Sequence, residues 1–148
     1  MNSAEEVLIW GAGKIGRGFV PDLLETKSKI TFVDADKNLV EKLNEQGYYT
    51  IYKIPNNQEK YQKKIDNFEA LGARKKSKIV EKGKDISLMV VAVYPDAFPE
   101  VTALIAEIIE KRVEDKEKGN SARDDFINII LCNNTAGSGE RFQNSLLN

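Results

Sequence analysis

The sequence has no histidine and only one cysteine among its 148 residues. The absence of histidine argues against a Ser-His-Asp triad and against the commonest zinc sites. It also leaves no imidazole to activate Cys132, which we interpret as a buried strand residue. A single cysteine cannot form an internal disulfide and is typical of a reducing, cytoplasmic environment. We therefore predict no catalytic residue and no metal site within this chain.

The chain also lacks a dominant charge and a long hydrophobic run. With 22 basic and 23 acidic residues its net charge is −1, so bulk electrostatics predict no binding to nucleic acid or membranes. No apolar run reaches the ~18 residues of a membrane span. The polar segment Met1–Glu6 is unlike a signal peptide. We predict a single domain over residues 1–148.

A glycine-rich turn between two apolar runs is the most informative feature that is present. The first run, Val7–Trp10, leads directly into the turn, and the second, Ile30–Val33, ends at Asp34. Strand, glycine turn, helix, strand and acid follow one another in the order that a dinucleotide-binding unit requires. The turn consists of Gly11, Ala12, Gly13, Lys14, Ile15, Gly16, Arg17 and Gly18.

The positions of the glycines and of the acid predict how such a cofactor would bind. Gly11 allows a sharp turn off the strand, Gly13 lets the backbone approach a pyrophosphate, and Gly16 lets the helix lie close to the sheet. The N–H groups and positive dipole at the helix start attract the phosphates. Asp34 follows Gly11 at close to the ~20-residue spacing of a ribose-binding acid. Because no arginine adjoins Asp34 and Lys37 is the nearest base, we predict NAD rather than NADP.

Two other interpretations of the glycine turn remain open. Glycine clusters also form ordinary turns that bind nothing. A site for the methyl donor S-adenosylmethionine also combines a glycine-rich turn with an acid after the second strand. The preceding strand, the following amphipathic helix and the acid together favour the dinucleotide.

The helix after the turn contains an unusual proline. It is predicted to begin near Lys14, with Ile15, Phe19 and Leu23 on its inner face. Pro21 lies inside this pattern, past the first turn. There it is expected to kink the helix or to leave a carbonyl unpaired.

Hydrophobic patterns and turn residues predict an α/β fold of the Rossmann type, with a doubly wound and mostly parallel sheet. The almost continuously apolar run Ile86–Val93 is typical of a parallel strand buried on both faces. In chain order, the predicted elements are strands at Glu6–Trp10 and Lys29–Asp34, a helix from an Asp36 cap to Gly47, a helix over Ser77–Lys82, the strand Ile86–Val93, a helix over Pro99–Lys111, a surface connection over Glu114–Asp125, a buried strand over Phe126–Cys132 and a final helix capped by Ser138.

A tyrosine-rich segment departs from the plain doubly wound pattern. Tyr48–Ile54 is rich in strand-forming residues, and Pro55 begins a turn. Gln58–Ile65 and Phe68–Leu71 read as returning strands, so we predict a small antiparallel insertion, whose tyrosines pack across strands rather than form a ligand surface. The basic run Arg74–Lys76 is interpreted as a solvated loop, with phosphate recognition as the alternative.

In an open parallel sheet, ligands bind beyond the carboxyl ends of the strands. Besides the glycine turn and Asp34, this rule selects the strand ends at Ala92-Val93 and at Asn133-Asn134. The asparagine pair has two open interpretations, ligand binding or closure of a turn. We add Ala92, Val93 and Asn134 to the predicted cofactor-binding residues.

Segments along the whole chain carry the pattern of a known family. The first is Leu8–Phe19, in which the extension Gly16–Phe19 is the most specific part. The others are Thr31–Asp36, the tyrosine-rich insertion, the strand end Ala92–Pro95 and the strand end Ile129–Asn134. Together these segments resemble the polyol-specific long-chain dehydrogenases. The resemblance covers essentially the entire sequence.

The resemblance implies the cofactor domain of an NAD-dependent oxidoreductase that interconverts mannitol 1-phosphate and fructose 6-phosphate. It also implies a second, mostly helical domain that carries the substrate pocket and a catalytic Lys, Asn and His motif. Because this sequence has no histidine, we expect that domain to be absent from residues 1–148 and the chain alone to be inactive. The sugar phosphate or polyol would bind through the missing domain.

Two positions depart from the family's usual pattern. Asn133 stands where the family has an acid, and Tyr94 stands where it has a small residue. Two interpretations of these changes stay open, a different substrate or an altered site. Two functional alternatives stay open: a hexuronate reductase of the same family, and a stand-alone NAD-sensing regulatory Rossmann module. The tyrosine-rich insertion favours the dehydrogenase over the regulatory module.

Overall fold

A parallel sheet of five strands forms the centre of the molecule. A computed structural model of the chain describes residues 5–24, 28–56, 59–120 and 126–148. The strands are β1 (Glu6–Trp10), β2 (Lys29–Asp34), β3 (Tyr49–Lys53), β4 (Tyr61–Ile65), β5 (Phe68–Gly72), β6 (Leu88–Val91) and β7 (Asn128–Leu131). The main sheet has the order β5-β2-β1-β6-β7, and β3 and β4 form a separate antiparallel pair. This confirms the predicted doubly wound, Rossmann-type sheet with a small insertion.

Helices cover both faces of the main sheet. They are α1 (Val20–Leu23), α2 (Lys37–Gln46), α3 (Lys76–Gly83), α4 (Phe98–Glu117) and α5 (Ser138–Leu147), with a π-helical turn over Ile15–Phe19 and a 3₁₀ turn over Pro95–Ala97. Leu8 and Trp10 of β1 pack in one apolar cluster with α4, whereas Val7 and Ile9 pack in a second cluster with α2. Since successive strand residues face opposite sides, burial on both sides explains the continuous apolar run. Within the described ranges, no helix has the length and apolarity needed to cross a membrane.

Helix α2 has the predicted ends. The Asp36 carboxylate accepts a hydrogen bond from the Leu39 N–H at 3.1 Å, which caps the first turn. Gly47 follows the last turn with a φ of 70°, a left-handed conformation that glycine adopts without strain. The acid that caps this helix is therefore distinct from Asp34, which stays available at the strand end.

The helix after the glycine turn differs from the prediction in its inner face. Phe19 and Leu23 are 56% and 68% exposed, whereas Val20 and Pro21 are buried. The cause is the π-helical turn, in which the Val20 N–H donates to the Ile15 carbonyl. Because that bond spans five residues instead of four, side chains at i and i+4 no longer share one face.

Pro21 does not leave a carbonyl unpaired, because the insertion provides a donor. A proline here cannot donate to the Arg17 carbonyl oxygen four residues earlier. The buried Tyr49 hydroxyl donates to that oxygen at 2.9 Å. Its ring also packs near Phe32 and Phe68, with centroid distances of 6.3 and 5.4 Å. Burial raises the pKa of the Tyr49 phenol, with a smaller opposing effect from Arg17, so the hydroxyl stays a donor.

Tyr49→Phe is expected to lower the free energy of unfolding by about 1–2 kcal/mol, since it leaves the Arg17 carbonyl unsatisfied. The loss should shrink in a Pro21→Ala background, because the new N–H can donate to the same oxygen. Urea unfolding of both single variants and the double variant measures this coupling. Equal losses in the two backgrounds would contradict the role assigned to the hydroxyl.

The last predicted strand of the insertion belongs to the main sheet instead. β5 pairs in parallel with β2, and Asp34 lies opposite Gly72. The predicted strand is therefore correct in position and wrong in partner. Its partner is far away in sequence, and local patterns do not encode such pairings. In the returning strand, Gln58 lies outside the described residues, and β4 begins at Tyr61.

Helix α4 is longer than predicted and ends at Glu117. The charged residues after Lys111 continue the helix rather than form a surface connection. Lys111 lies 3.9 Å from Glu114 and 3.4 Å from Asp115, and such i,i+3 and i,i+4 pairs stabilise a helix. Residues 121–125 of the predicted connection lie outside the described residues.

The carboxyl-terminal elements also require corrections. β6 is shorter than the predicted run 86–93. β7 is a half-exposed edge strand rather than a buried one, with Ile130 53% exposed. Cys132 lies just beyond β7 and is half-buried, so its prediction as a buried strand residue is wrong. Ser138 begins α5 but does not cap it, because Gly137 occupies the cap position with a φ of 71°.

Candidate cofactor-binding site

The glycine turn requires glycine at two of its positions. Gly11 has a φ of 98°, and a Cβ there would lie 2.9 Å from the Ala92 carbonyl oxygen and 2.9 Å from Val93 Cγ1. A Cβ on Gly16 would overlap the Gly11 carbonyl oxygen. The Gly11 N–H donates to the Val33 carbonyl at 2.7 Å, which ties the turn to β2. The glycine turn, the helix that follows it and the neighbouring strand ends therefore lie so close together that a side chain at Gly11 or Gly16 would clash with backbone atoms.

Gly13 has a different environment. It is exposed, and a Cβ built on it would meet no atom within 4 Å. The open space beside it faces away from the protein's own packing, so glycine is not needed there for the fold. Gly18 also has no atom within 4 Å of such a Cβ and is only half-buried. Steric packing therefore explains the first and third glycines of the motif but neither Gly13 nor Gly18.

Asp34 is connected directly to the glycine turn. Its Oδ2 accepts a hydrogen bond from the Ala12 N–H at 2.7 Å, and its Oδ1 accepts from the Asp36 N–H at 2.8 Å. These bonds fix the carboxylate in one orientation at the end of β2. A carboxylate has about four lone-pair positions, so each oxygen keeps capacity for a further donor. The half-buried acid can thus accept ribose hydroxyls without losing its own partners.

Basic side chains lie around the turn. Arg17 Nε donates to the Ala12 carbonyl at 2.5 Å, which holds the guanidinium against the turn. Lys14 is exposed and Ile15 is half-buried. Two positive charges and the start of a helix therefore lie next to the open space at Gly13, an environment that favours phosphate oxygens.

A groove of about 760 Å³ lies at the carboxyl ends of the strands. Its lining comes from the ends of β1, β2 and β6, the segment after β5, and one side of α4. Among the lining residues are Trp10, Asp34, Arg74, Lys76, Val93, Ala97 and Val101. The groove thus places the Asp34 carboxylate near apolar side chains such as Val93 and Val101, the combination that an adenosine needs.

The predicted strand-end residues divide into three groups. Val93 lines the groove. Ala92 instead lies beneath Gly11, and its N–H donates to the Trp10 carbonyl at 2.8 Å. The pair after β7 separates, because Asn133 closes a turn while Asn134 is exposed.

Asn133 makes three contacts within its own region. Its Oδ1 accepts from the Thr135 N–H at 3.2 Å and from the Ser138 hydroxyl at 2.7 Å. Its Nδ2 donates to the Val93 carbonyl at 3.4 Å. Asn134 has no side-chain hydrogen bond among the described residues. The neighbouring departure Tyr94 is 70% exposed and does not line the groove.

Sequence reasoning missed most residues of the groove, and three of the missed side chains carry polar groups of interest, those of Trp10, Arg74 and Lys76. Trp10, the single tryptophan of the chain, lines it, and its buried indole N–H has no partner among the described residues. Arg74 and Lys76 lie on its rim, although their run reads as a solvated loop. The parallel pairing of β5 with β2 places both residues beside the groove. Because this pairing was not predicted from the sequence, neither was their position. In the described ranges, no three side chains of the metal-binding types cluster together.

Comparison with known proteins identifies the family. A family model described as the mannitol dehydrogenase Rossmann domain matches residues 5–148. The chain belongs to this family. The match confirms the resemblance seen in the sequence and agrees with the sheet order described above.

Similar proteins of the family are dehydrogenases. One is a mannitol-1-phosphate 5-dehydrogenase of Lacticaseibacillus casei strain BL23, 31% identical over 143 residues. Others with this name come from Anoxybacillus flavithermus, 29% identical over 136 residues, and Enterococcus faecalis, 32% identical over 130 residues. The alignments cover 95%, 90% and 86% of this chain but 35%, 33% and 32% of those proteins. The chain therefore spans about a third of the length of the curated relatives it matches, and this third corresponds to the mannitol dehydrogenase Rossmann domain.

Proposed function

We propose that this chain is the NAD(H)-binding domain of a polyol-phosphate dehydrogenase. In the complete protein, the reaction would interconvert mannitol 1-phosphate and fructose 6-phosphate. The observation that carries the cofactor assignment is the bond from the Ala12 N–H to Asp34, which joins the glycine turn to the ribose-binding acid at the edge of the groove. The names of the relatives support the substrate.

The residues present fit a nicotinamide dinucleotide. The open space at Gly13 admits a pyrophosphate, with Lys14 and Arg17 beside it. Asp34 would accept the adenosine ribose hydroxyls, and Val93 would contact the adenosine within the groove. When bound, NAD supplies the hydride acceptor, while the protein binds and orients it. Ile15, Gly18, Ala92 and Asn134 complete the set of residues that we propose to surround it.

The substrate side of the reaction is assigned to chain beyond these residues. Proximity and general-base catalysis supply much of the rate enhancement in such reactions. We propose that this domain alone neither positions the sugar phosphate nor supplies the general base. It should therefore bind NAD(H) without turning over mannitol 1-phosphate. The absorbance of NADH, followed with mannitol 1-phosphate or fructose 6-phosphate, tests this. Sustained turnover by residues 1–148 would place a catalytic group among them. A cytoplasmic location stays part of the proposal, supported by the single cysteine.

NAD(H) is expected to bind more tightly than NADP(H), by roughly 5- to 150-fold. The Asp34 carboxylate would repel a 2′-phosphate at a cost of ~1–3 kcal/mol. Lys37, the nearest base in sequence, pairs with Glu41 at 3.5 Å on the surface of α2. Titration calorimetry with both cofactors measures the ratio, and the fluorescence of Trp10 reports occupancy of the groove independently. Equal or tighter binding of NADP(H) would contradict the assigned role of Asp34.

A further inference from the structure

Two exposed cations on the groove rim have no role in the function proposed above. Arg74 and Lys76 line the same groove as Asp34. Neither forms an ion pair in the part of the chain that the structure describes, unlike Lys37 on α2. Side chains without a fixed partner at the mouth of a cavity are available to a ligand there.

The backbone holds both residues close to the end of β2. Asp34 lies opposite Gly72 in the parallel pairing of β2 with β5. The Ala73 N–H then donates to the Asp34 carbonyl oxygen at 2.8 Å, and the Lys75 N–H donates to the Gly72 carbonyl at 2.9 Å. Arg74 is therefore attached to a turn that is bonded to the residue bearing the ribose-binding carboxylate. Lys76 follows as the first residue of α3.

The charge balance of the groove depends on these two cations. Its lining also contains three carboxylates, those of Asp34, Glu100 and Glu107. With the acids alone, a second phosphate near the ribose would meet like charge from several directions. Arg74 and Lys76 offset this charge on the side of the groove next to Asp34, where the adenosine ribose is expected. A guanidinium and an ammonium are suited to bind phosphate oxygens with charge-assisted hydrogen bonds.

We propose that Arg74 and Lys76 form a subsite for a phosphate on the adenosine 2′-oxygen, so that the domain accepts NADP(H) as a second, weaker cofactor. The proposal rests on the proposed function, since it uses the same groove and the same ribose position. NAD(H) stays the tighter ligand because Asp34 accepts its free 2′-hydroxyl. The two cations set how large the preference is.

The test compares two double variants of equal charge change. Arg74→Ala/Lys76→Ala removes the rim cations, and Lys75→Ala/Lys78→Ala removes two exposed lysines of the same segment that do not line the groove. Calorimetry with NAD, NADP, adenosine 5′-monophosphate and adenosine 2′,5′-bisphosphate gives the dissociation constants. All four side chains are exposed, so thermal unfolding should confirm that both proteins keep the fold.

Removal of Arg74 and Lys76 is expected to weaken NADP and the bisphosphate by roughly 10-fold or more, the scale of losing charge-assisted hydrogen bonds. NAD and the monophosphate should change by less than about 3-fold, and the control variant should leave all four near the parent values. Equal weakening of all four probes, or an unchanged NADP affinity, would overturn the subsite. If the parent protein binds NAD but not NADP, the subsite is contradicted while the proposed function stands. If it binds neither cofactor, the proposed function is contradicted as well.

Discussion

Gly16→Ala is expected to lower the free energy of unfolding by roughly 3 kcal/mol or more and to abolish cofactor binding. The added Cβ would overlap the carbonyl oxygen of Gly11, a backbone atom that cannot move aside like a flexible side chain. Relief requires the helix to move away from β1, which costs packing energy. It would also displace the turn whose Ala12 N–H binds Asp34. Stability and binding should therefore fall together.

Urea unfolding measures the stability loss, and Gly18→Ala provides a matched control. Gly18 lies in the same π-helical turn, has no positive φ, and would gain a Cβ with no atom within 4 Å. Alanine has a higher helix propensity than glycine by about 1 kcal/mol, so this variant should be as stable as the parent or more so. If both variants unfold at the same urea concentration, the close approach of helix and turn is not what requires Gly16.

Segments with strong local patterns were predictable from the sequence. β1, β2 and α2 have the expected bounds because their signals are contained in a few neighbouring residues, such as the Asp36 cap and Gly47. The roles of Gly11 and Gly16 also follow from spacing alone, since the strand–turn–helix unit admits one close packing. The structure supplies the atoms that confirm these two roles.

Features that depend on distant residues were not predictable. Nothing near Phe68 indicates that β5 will pair with β2 rather than with the hairpin. That pairing places Arg74 beside the groove, so the basic run Arg74–Lys76 contributes to the lining of a cavity rather than only to a solvated loop. The same holds for Pro21, whose cost is offset by the hydroxyl of Tyr49, a residue of β3. The π-helical turn over Ile15–Phe19, which accompanies the exposure of Phe19, likewise has no counterpart in the hydrophobic periodicity of the sequence.

Asn133 and Asn134 have the same two possible roles in the sequence but different environments in the structure. From the sequence, ligand binding and turn closure apply equally to both residues. In the fold, Asn133 closes the turn, because its side-chain oxygen accepts hydrogen bonds from the Thr135 N–H and the Ser138 hydroxyl. The Asn133 amide also donates to the Val93 carbonyl, a bond that an ionised carboxylate could not make. Asn133 therefore connects the β6 and β7 strand ends.

The largest expected effect on binding alone comes from Gly13→Val. Gly13 is exposed, its φ is not in the left-handed region, and a Cβ there meets no protein atom within 4 Å. The fold should therefore accept the branched side chain, with a change in unfolding free energy below about 1 kcal/mol. The same side chain would fill the space assigned to the pyrophosphate, and we expect NAD affinity to fall by roughly 100-fold or more.

Calorimetry with NAD and thermal unfolding of the same samples separate the two effects. Gly139→Val serves as the control, because it makes the same substitution at an exposed glycine of α5 that also has no atom within 4 Å. That variant should bind NAD like the parent, since Gly139 does not line the groove. A graded loss from Gly13→Ala to Gly13→Val would follow if the obstruction is steric. If Gly13→Val binds NAD with the parent's affinity, the pyrophosphate does not approach the turn at this residue, and the placement of the whole cofactor along the strand ends would have to change.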